Sequence, residues 1–158
     1  MRISIITISD SVSAGHREDR SGKALVERCR EAGWEVVSTS IAPDEETLIR
    51  AQLSALADSD KVDLILTTGG TGLGPRDVTP EATASVVGRQ VPGLAERMRQ
   101  VGCEKNLNAA LSRSIVGIRG TSLIVNLPGS PRGAVESFDA IAALIPHAVS
   151  VLHGARHD

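Results

Sequence analysis

Three stretches rich in β-branched and apolar residues mark the first half of the chain: Arg2–Ile8, Glu35–Ile41 and Val62–Thr68. Each reads as a strand. The third, carrying Leu64-Ile65-Leu66, has the character of a strand buried on both faces. Between them the apolar period lengthens to that of a helix. In Ser21–Ala32 the residues Leu25, Val26, Cys29 and Ala32 share a face, and Gly33 supplies a stop. Pro43-Asp44-Glu45-Glu46 opens a second helix whose apolar face is Leu48, Ile49, Leu53, Leu56 and Ala57.

Thr79-Pro80 reads as an N-cap followed by a proline in the first turn, opening a helix to about Val87. Pro92–Val101 is a further short helix with Leu94, Met98 and Val101 inward, and Ala109–Leu111 ends a short helical or irregular stretch. Ser114–Arg119 and Thr121–Leu127, divided at Gly120, form a hairpin. Ser130 then caps a final helix, Ala134 to about Leu152. That helix places Phe138, Ile141, Leu144, Ile145 and Ala148 on one side, and Pro146 kinks it.

This order predicts an α/β fold, a three-layer αβα domain with a mostly parallel central sheet, as a single domain over residues 1–158. In such sheets ligands bind beyond the carboxyl ends of the strands. Ser9–Gly15, Ala42–Glu45 and Gly69–Thr79 fall on that edge, and the Pro128–Pro131 turn makes a fourth loop there.

Composition narrows the function. A formal net charge of −2 gives no broad basic surface for nucleic acid. Trp34 and Phe138 are the whole aromatic complement, so base-stacking platforms are excluded as well. Cys29 and Cys103 stand far apart and read as inert thiols. No apolar run reaches membrane-spanning length and the N-terminus lacks a signal-peptide layout, so a cytoplasmic protein with no membrane partner is expected.

The chemistry concentrates after the third strand. In Gly69-Gly70-Thr71-Gly72-Leu73-Gly74 four of six positions are glycine. Such a loop brings backbone N–H groups close to an anion. The Lys-Ser/Thr of a P-loop is replaced by Pro75-Arg76, and the dinucleotide fingerprint is absent. Asp10, Asp44 and Asp77 each follow a strand on the same edge. Carboxylates converging beside phosphates repel them unless a cation such as Mg²⁺ is shared between the two. Asp44 as a plain N-cap, Asp10 as an Asx turn and Asp77 as a surface partner of Arg76 are the simpler readings. Arg113 and Ser112 before a strand suit a phosphate, or an ordinary polar strand entry. Asn126 can read a ring edge or merely end a strand, and Ser130 can present a helix N-terminus to an anion. His16 lies in the first loop. His147, His153 and His157 belong to a terminal helix surface, and no nucleophilic triad is present.

Together these segments resemble the molybdopterin adenylyltransferase family of the bacterial Mog type, within the MoaB/Mog superfamily. They also resemble the homologous G domains of plant cofactor-synthesis proteins and animal gephyrin. The resemblance runs through Thr7–Gly15, Asp19–Gly22, Ala42–Glu45, Thr67–Gly72, Arg76–Ala82, Pro92–Leu94, Leu111–Ser114, Gly117–Gly120 and Asn126–Pro131. It implies adenylyl transfer from ATP to the terminal phosphate of molybdopterin, with Mg²⁺, releasing pyrophosphate. Asp44 and Asp77 then correspond to the acidic pair for nucleotide and metal. Thr71, Ser112, Asn126 and Ser130 correspond to substrate contacts. Asp10, Gly69, Gly70, Gly72 and Arg76 lie in the matching nucleotide and phosphate region. The family is commonly homotrimeric, and its product passes to a molybdenum-insertion protein, a candidate partner. A MoaB-like protein that binds molybdopterin without catalysis is the alternative. The stretch Glu104–Ala110 lacks the Thr-Pro usual before the Leu-Ser-Arg element, so the pterin end of the pocket is expected to differ in detail.

Overall fold

A computed structural model describes residues 1–155. Six strands form one sheet: β1 (Arg2–Ile8), β2 (Glu35–Ala42), β3 (Leu64–Thr68), β4 (Arg89–Gln90), β5 (Val116–Arg119) and β6 (Ser122–Leu127). Among the described residues seven helices connect and cover them: α1 (Asp10–Ser13), α2 (Arg20–Glu31), α3 (Glu46–Ala57), α4 (Thr79–Val86), α5 (Pro92–Lys105), α6 (Pro131–Ile141) and α7 (Ile145–Leu152). A 3₁₀ turn spans Leu107–Leu111.

The strand order is β2-β1-β3-β6-β5-β4. β1, β2, β3 and β6 run parallel, while β5 runs antiparallel to both β6 and β4. The expected three-layer, mostly parallel arrangement is therefore the one observed. Alternation along the central strands divides the core. Ile3, Ile5, Leu64, Leu66, Leu123 and Val125 meet α2, α5, α6 and α7 on one face. Ile6, Ile8, Ile65 and Ile124 meet α3 and α4 on the other. Cys29 is fully buried in the first layer, and burial pushes its thiol up to about 12, an inert group as expected.

Several local expectations need correction. Ser9–Gly15 is not all loop: the Ser9 hydroxyl accepts from the Val12 N–H and starts the short helix α1, which places Asp10 in its first turn. The cap of α4 is Val78 rather than Thr79, because the Thr79 hydroxyl instead donates to the Gly69 carbonyl at 3.0 Å. Asp44 does not cap α3, which begins after Glu45. The expected kinked terminal helix is two helices bent by 64°, with Pro146 in the first turn of the second. The break leaves Leu144 48% exposed instead of inward, and Leu48 on α3 is likewise exposed. β4 has only two residues and takes its form from pairing with β5. The expectation for His157 lies outside the described residues. Among the described residues no single helix is long and apolar enough to cross a membrane.

Candidate active site

Parallel strands aim their carboxyl ends the same way, so the segments after Ile8, Ala42, Thr68 and Leu127 gather along one edge. The turn point lies between β1 and β3, whose connections leave in opposite directions, and a crevice opens there. Gly69 sits at that point with a φ of 108°. A Cβ on it would lie 2.1 Å from the Ile8 carbonyl oxygen, so no other residue fits.

Two aspartates bind the first two loops to each other. The Asp10 N–H donates to Asp44 Oδ2 at 2.9 Å, and the Asp44 N–H donates to Asp10 Oδ1 at 2.9 Å. Arg76 adds a forked contact to Asp10, from Nε to Oδ2 and from Nη2 to Oδ1, both at 3.0 Å. That contact holds the Asp10 carboxyl below its ordinary range. Asp44 goes the other way. Burial raises its pKa, and the charges of Asp10 and Asp77 raise it further. Asp77 Oδ2 accepts from the Gly74 N–H at 2.8 Å, close against Gly72 and Gly74, where a Cβ at either glycine would crowd it.

The guanidinium of Arg113 stitches this glycine loop from behind. It donates to the Gly72 carbonyl at 2.8 Å and the Asp77 carbonyl at 2.7 Å, and it pairs with Glu81. The Arg113 N–H donates to the Thr71 carbonyl at 2.9 Å. The side-chain donors of Arg113 are thus engaged on two backbone carbonyls and on Glu81.

Two cavities result. One of about 480 Å³ is walled by Asp44, Asp77, Gly69, Gly70 and the turn Gly129–Pro131, with the segment Arg17–Ser21 opposite. The other, of about 650 Å³, is walled by Thr71, Gly72, Ser112, Ser130, Leu111 and Arg132. Both volumes fall in the range of small-molecule sites. Ser130 is common to both, and its hydroxyl caps α6 by accepting from the Gly133 N–H at 3.1 Å. Lys105, Asn106, Asn108 and Ala109 line the second cavity, so the departure noted at Glu104–Ala110 falls on its wall.

The structure thus brings together Asp44, Asp77, Gly69, Gly70 and Ser130 around one cavity, and Thr71, Gly72, Ser112 and Ser130 around the next. Three expected residues are placed otherwise. Asp10 and Arg76 line neither cavity; they neutralise each other on the rim. Asn126 is fully buried. Its amide donates to the hydroxyls of Thr67 at 3.0 Å and Thr83 at 2.8 Å, and its oxygen accepts from the Ile115 N–H at 3.2 Å. Both of its amide hydrogens are engaged, and it lines neither cavity. Conversely, Arg17, Asp19 and Arg20 line the first cavity although no role followed from their sequence position. The Asp-Arg-Ser-Gly segment was the available signal.

The donor set can be tested against a divalent ion. Asp44 Oδ1 and Asp77 Oδ1 make no hydrogen bond among the described residues, and their charges act on each other. Two such oxygens suit Mg²⁺, which takes one or two carboxylates and completes its shell with phosphate and water. Among the described residues no group of three or more His, Cys, Asp or Glu could hold a metal alone. The site therefore fits an ion that is shared with a ligand.

A doubly wound sheet with a glycine cradle, an acidic pair and a second cavity alongside defines an α/β protein built for a phosphate-bearing ligand. The chain belongs to the molybdenum cofactor biosynthesis family described as a probable molybdopterin-binding domain, whose model matches residues 4–147. It is 40% identical over 156 residues to the molybdopterin adenylyltransferase of Helicobacter pylori, covering 98% of this chain and 89% of that one. It is 41% identical over 150 residues to the molybdenum cofactor synthesis protein cinnamon of Drosophila melanogaster; this covers 94% of the chain but only 25% of the longer fly protein. The crystal structure of the molybdopterin biosynthesis enzyme MoaB from Thermus thermophilus superposes with a TM-score of 0.92 at 48% identity, covering 99% of each chain.

Proposed function

We propose that the chain acts in molybdenum cofactor biosynthesis as a molybdopterin adenylyltransferase, moving the adenylyl group of ATP to the terminal phosphate of molybdopterin. The observation that carries this reading is the pair of adjoining cavities: one acidic and glycine-floored, the other lined by Leu73, Leu111 and Pro128 together with Thr71 and Ser112, meeting at Ser130. Relatives named for this activity align over nearly the whole chain.

In the reaction a phosphate oxygen of molybdopterin attacks the α-phosphorus of ATP. The bond from that phosphorus to the bridging oxygen breaks, and the oxygen leaves with the electron pair as pyrophosphate. The nucleophile is already an anion, so no strong base is needed, in keeping with a site that lacks one. Positioning and charge neutralisation supply the catalysis. Gly69 and Gly70 let the chain approach the nucleotide phosphates closely, and Ser112 and Ser130 hold the molybdopterin phosphate from the second cavity. Asp44 and Asp77 would hold Mg²⁺, which when bound would offset the charge of the triphosphate. Thr71, on the wall of the second cavity, contacts the substrate there. A cytoplasmic homotrimer that hands its product to a molybdenum-insertion protein completes the proposal.

The test is pyrophosphate release from ATP, with and without molybdopterin and Mg²⁺, by the wild type and by Asp77→Asn. Release that needs molybdopterin and collapses in the variant supports the reading. Molybdopterin binding without any release by the wild type overturns it and leaves a non-catalytic binder.

A further inference from the structure

Among the described residues, the first cavity carries two cations that no hydrogen bond or ion pair neutralises. Arg17 and Arg20 both line it, both are exposed, and neither side chain makes such a bond among the described residues. Their acidic neighbours make their hydrogen bonds elsewhere, although the Arg20 charge also acts on Glu18. Glu18 pairs with Lys23 at 2.5 Å. Asp19 accepts from the Thr7 hydroxyl at 2.8 Å and from the Gly22 N–H at 2.9 Å. These bonds fix the Arg17–Ser21 segment to the end of β1. The fit is close: a Cβ on Gly22 would lie 2.3 Å from Asp19 Oδ2 and 2.4 Å from Thr7 Oγ1. The frame is rigid while the two guanidinium groups stay available, an arrangement suited to an incoming anion.

Resting on the adenylyl-transfer reading, we propose that Arg17 and Arg20 form the subsite for the β- and γ-phosphates of the nucleoside triphosphate, and so hold the leaving pyrophosphate. Sheet order supports the assignment. The arginine segment follows β1, the Ser130 turn follows β6, and the β3 loop with Asp77 lies between them. A nucleophile entering past Ser130 displaces a group in line and away from itself, which is toward the β1 side. The acidic pair serves the α-phosphate through a cation, and the arginines receive the charge that departs.

The test uses inorganic pyrophosphate with Mg²⁺, and AMP as a separate probe, titrated into the wild type, Arg17→Gln, Arg20→Gln and the double variant. Arg50→Gln, an exposed change on α3, is the control. Pyrophosphate affinity should fall by roughly tenfold for each arginine, the scale of a solvent-facing charged hydrogen bond, while AMP affinity holds. In the transfer assay KM for ATP should rise and KM for molybdopterin should not. Equal weakening of pyrophosphate and AMP, or no weakening of either, would overturn this subsite while adenylyl transfer by the wild type stands. A wild type that binds neither probe and releases no pyrophosphate would overturn the subsite and the underlying reading together.

Discussion

Asp63 and Asp44 stand at opposite edges of the same sheet, and their surroundings push them in opposite directions. Asp63, just before β3, accepts from the Arg2 N–H at 2.7 Å and from the Arg2 guanidinium at 2.8 and 3.3 Å. The side-chain bonds to Arg2 hold its pKa below the ordinary carboxylate range. Asp44, just after β2, is raised by burial and among the described residues keeps one oxygen without a hydrogen bond. One residue type thus does two jobs. At the amino edge the charge is matched from within and ties strands together. At the carboxyl edge it is left unmatched, so a ligand or its cation must complete it.

The sharpest way to break this comparison is to neutralise the acidic pair. Asp77→Asn or Asp44→Asn should lower adenylyl transfer by roughly 10²-fold or more, with the fold intact, as read by pyrophosphate release and circular dichroism. The next effect in size is on stability. Asn126→Ala strips partners from the Ile115 N–H and from the hydroxyls of Thr67 and Thr83, at a cost of about 1–3 kcal/mol in urea unfolding. KM for molybdopterin should stay unchanged in this variant, and a large rise would return Asn126 to the substrate.

The smallest effects are the most diagnostic, because their signs differ. A lowered Asp63 stabilises the fold above its unfolded pKa, and that contribution fades as pH falls through its folded value. Asp63→Asn should therefore be less stable than wild type near neutrality, with the gap closing in acid. A raised Asp44 favours the fold while protonated and loses that contribution as pH rises through its folded value. Asp44→Asn, whose amide oxygen can still accept from Asp10, should equal wild type in acid and slightly exceed it near neutrality. Urea midpoints against pH for the two variants check both slopes, and parallel slopes would erase the distinction between the edges.

Local pattern made much of the fold legible. β1, β2 and β3, the stop at Gly33, the Gly120 turn and the Ser130 cap all follow from period and turn chemistry within a few residues. What escaped depends on distant partners. Two residues of β4 become a strand only beside β5, and Pro146, expected as a kink, stands in the first turn of a new helix. The site divides the same way. The glycine loop and its aspartates announced themselves by composition. Arg113 and Asn126 look equally apt for a ligand or for backbone, and only their neighbours decide. Arg17 and Arg20 reach the cavity because Asp19 is fastened to Thr7, a bond between residues that no short-range rule connects.

The mutual grip of Asp10 and Asp44 has a consequence for anyone recombining this fold. Each loop supplies the other's acceptor, so neither is a self-contained cassette. A chimera that takes the β1 loop from one parent and the β2 loop from another keeps its active geometry only when both parents carry aspartate at the two positions. Otherwise one of the two backbone N–H groups loses its acceptor and only half of the clasp remains. The workable crossover points for domain shuffling lie outside this clasp, and the two loops travel as one unit.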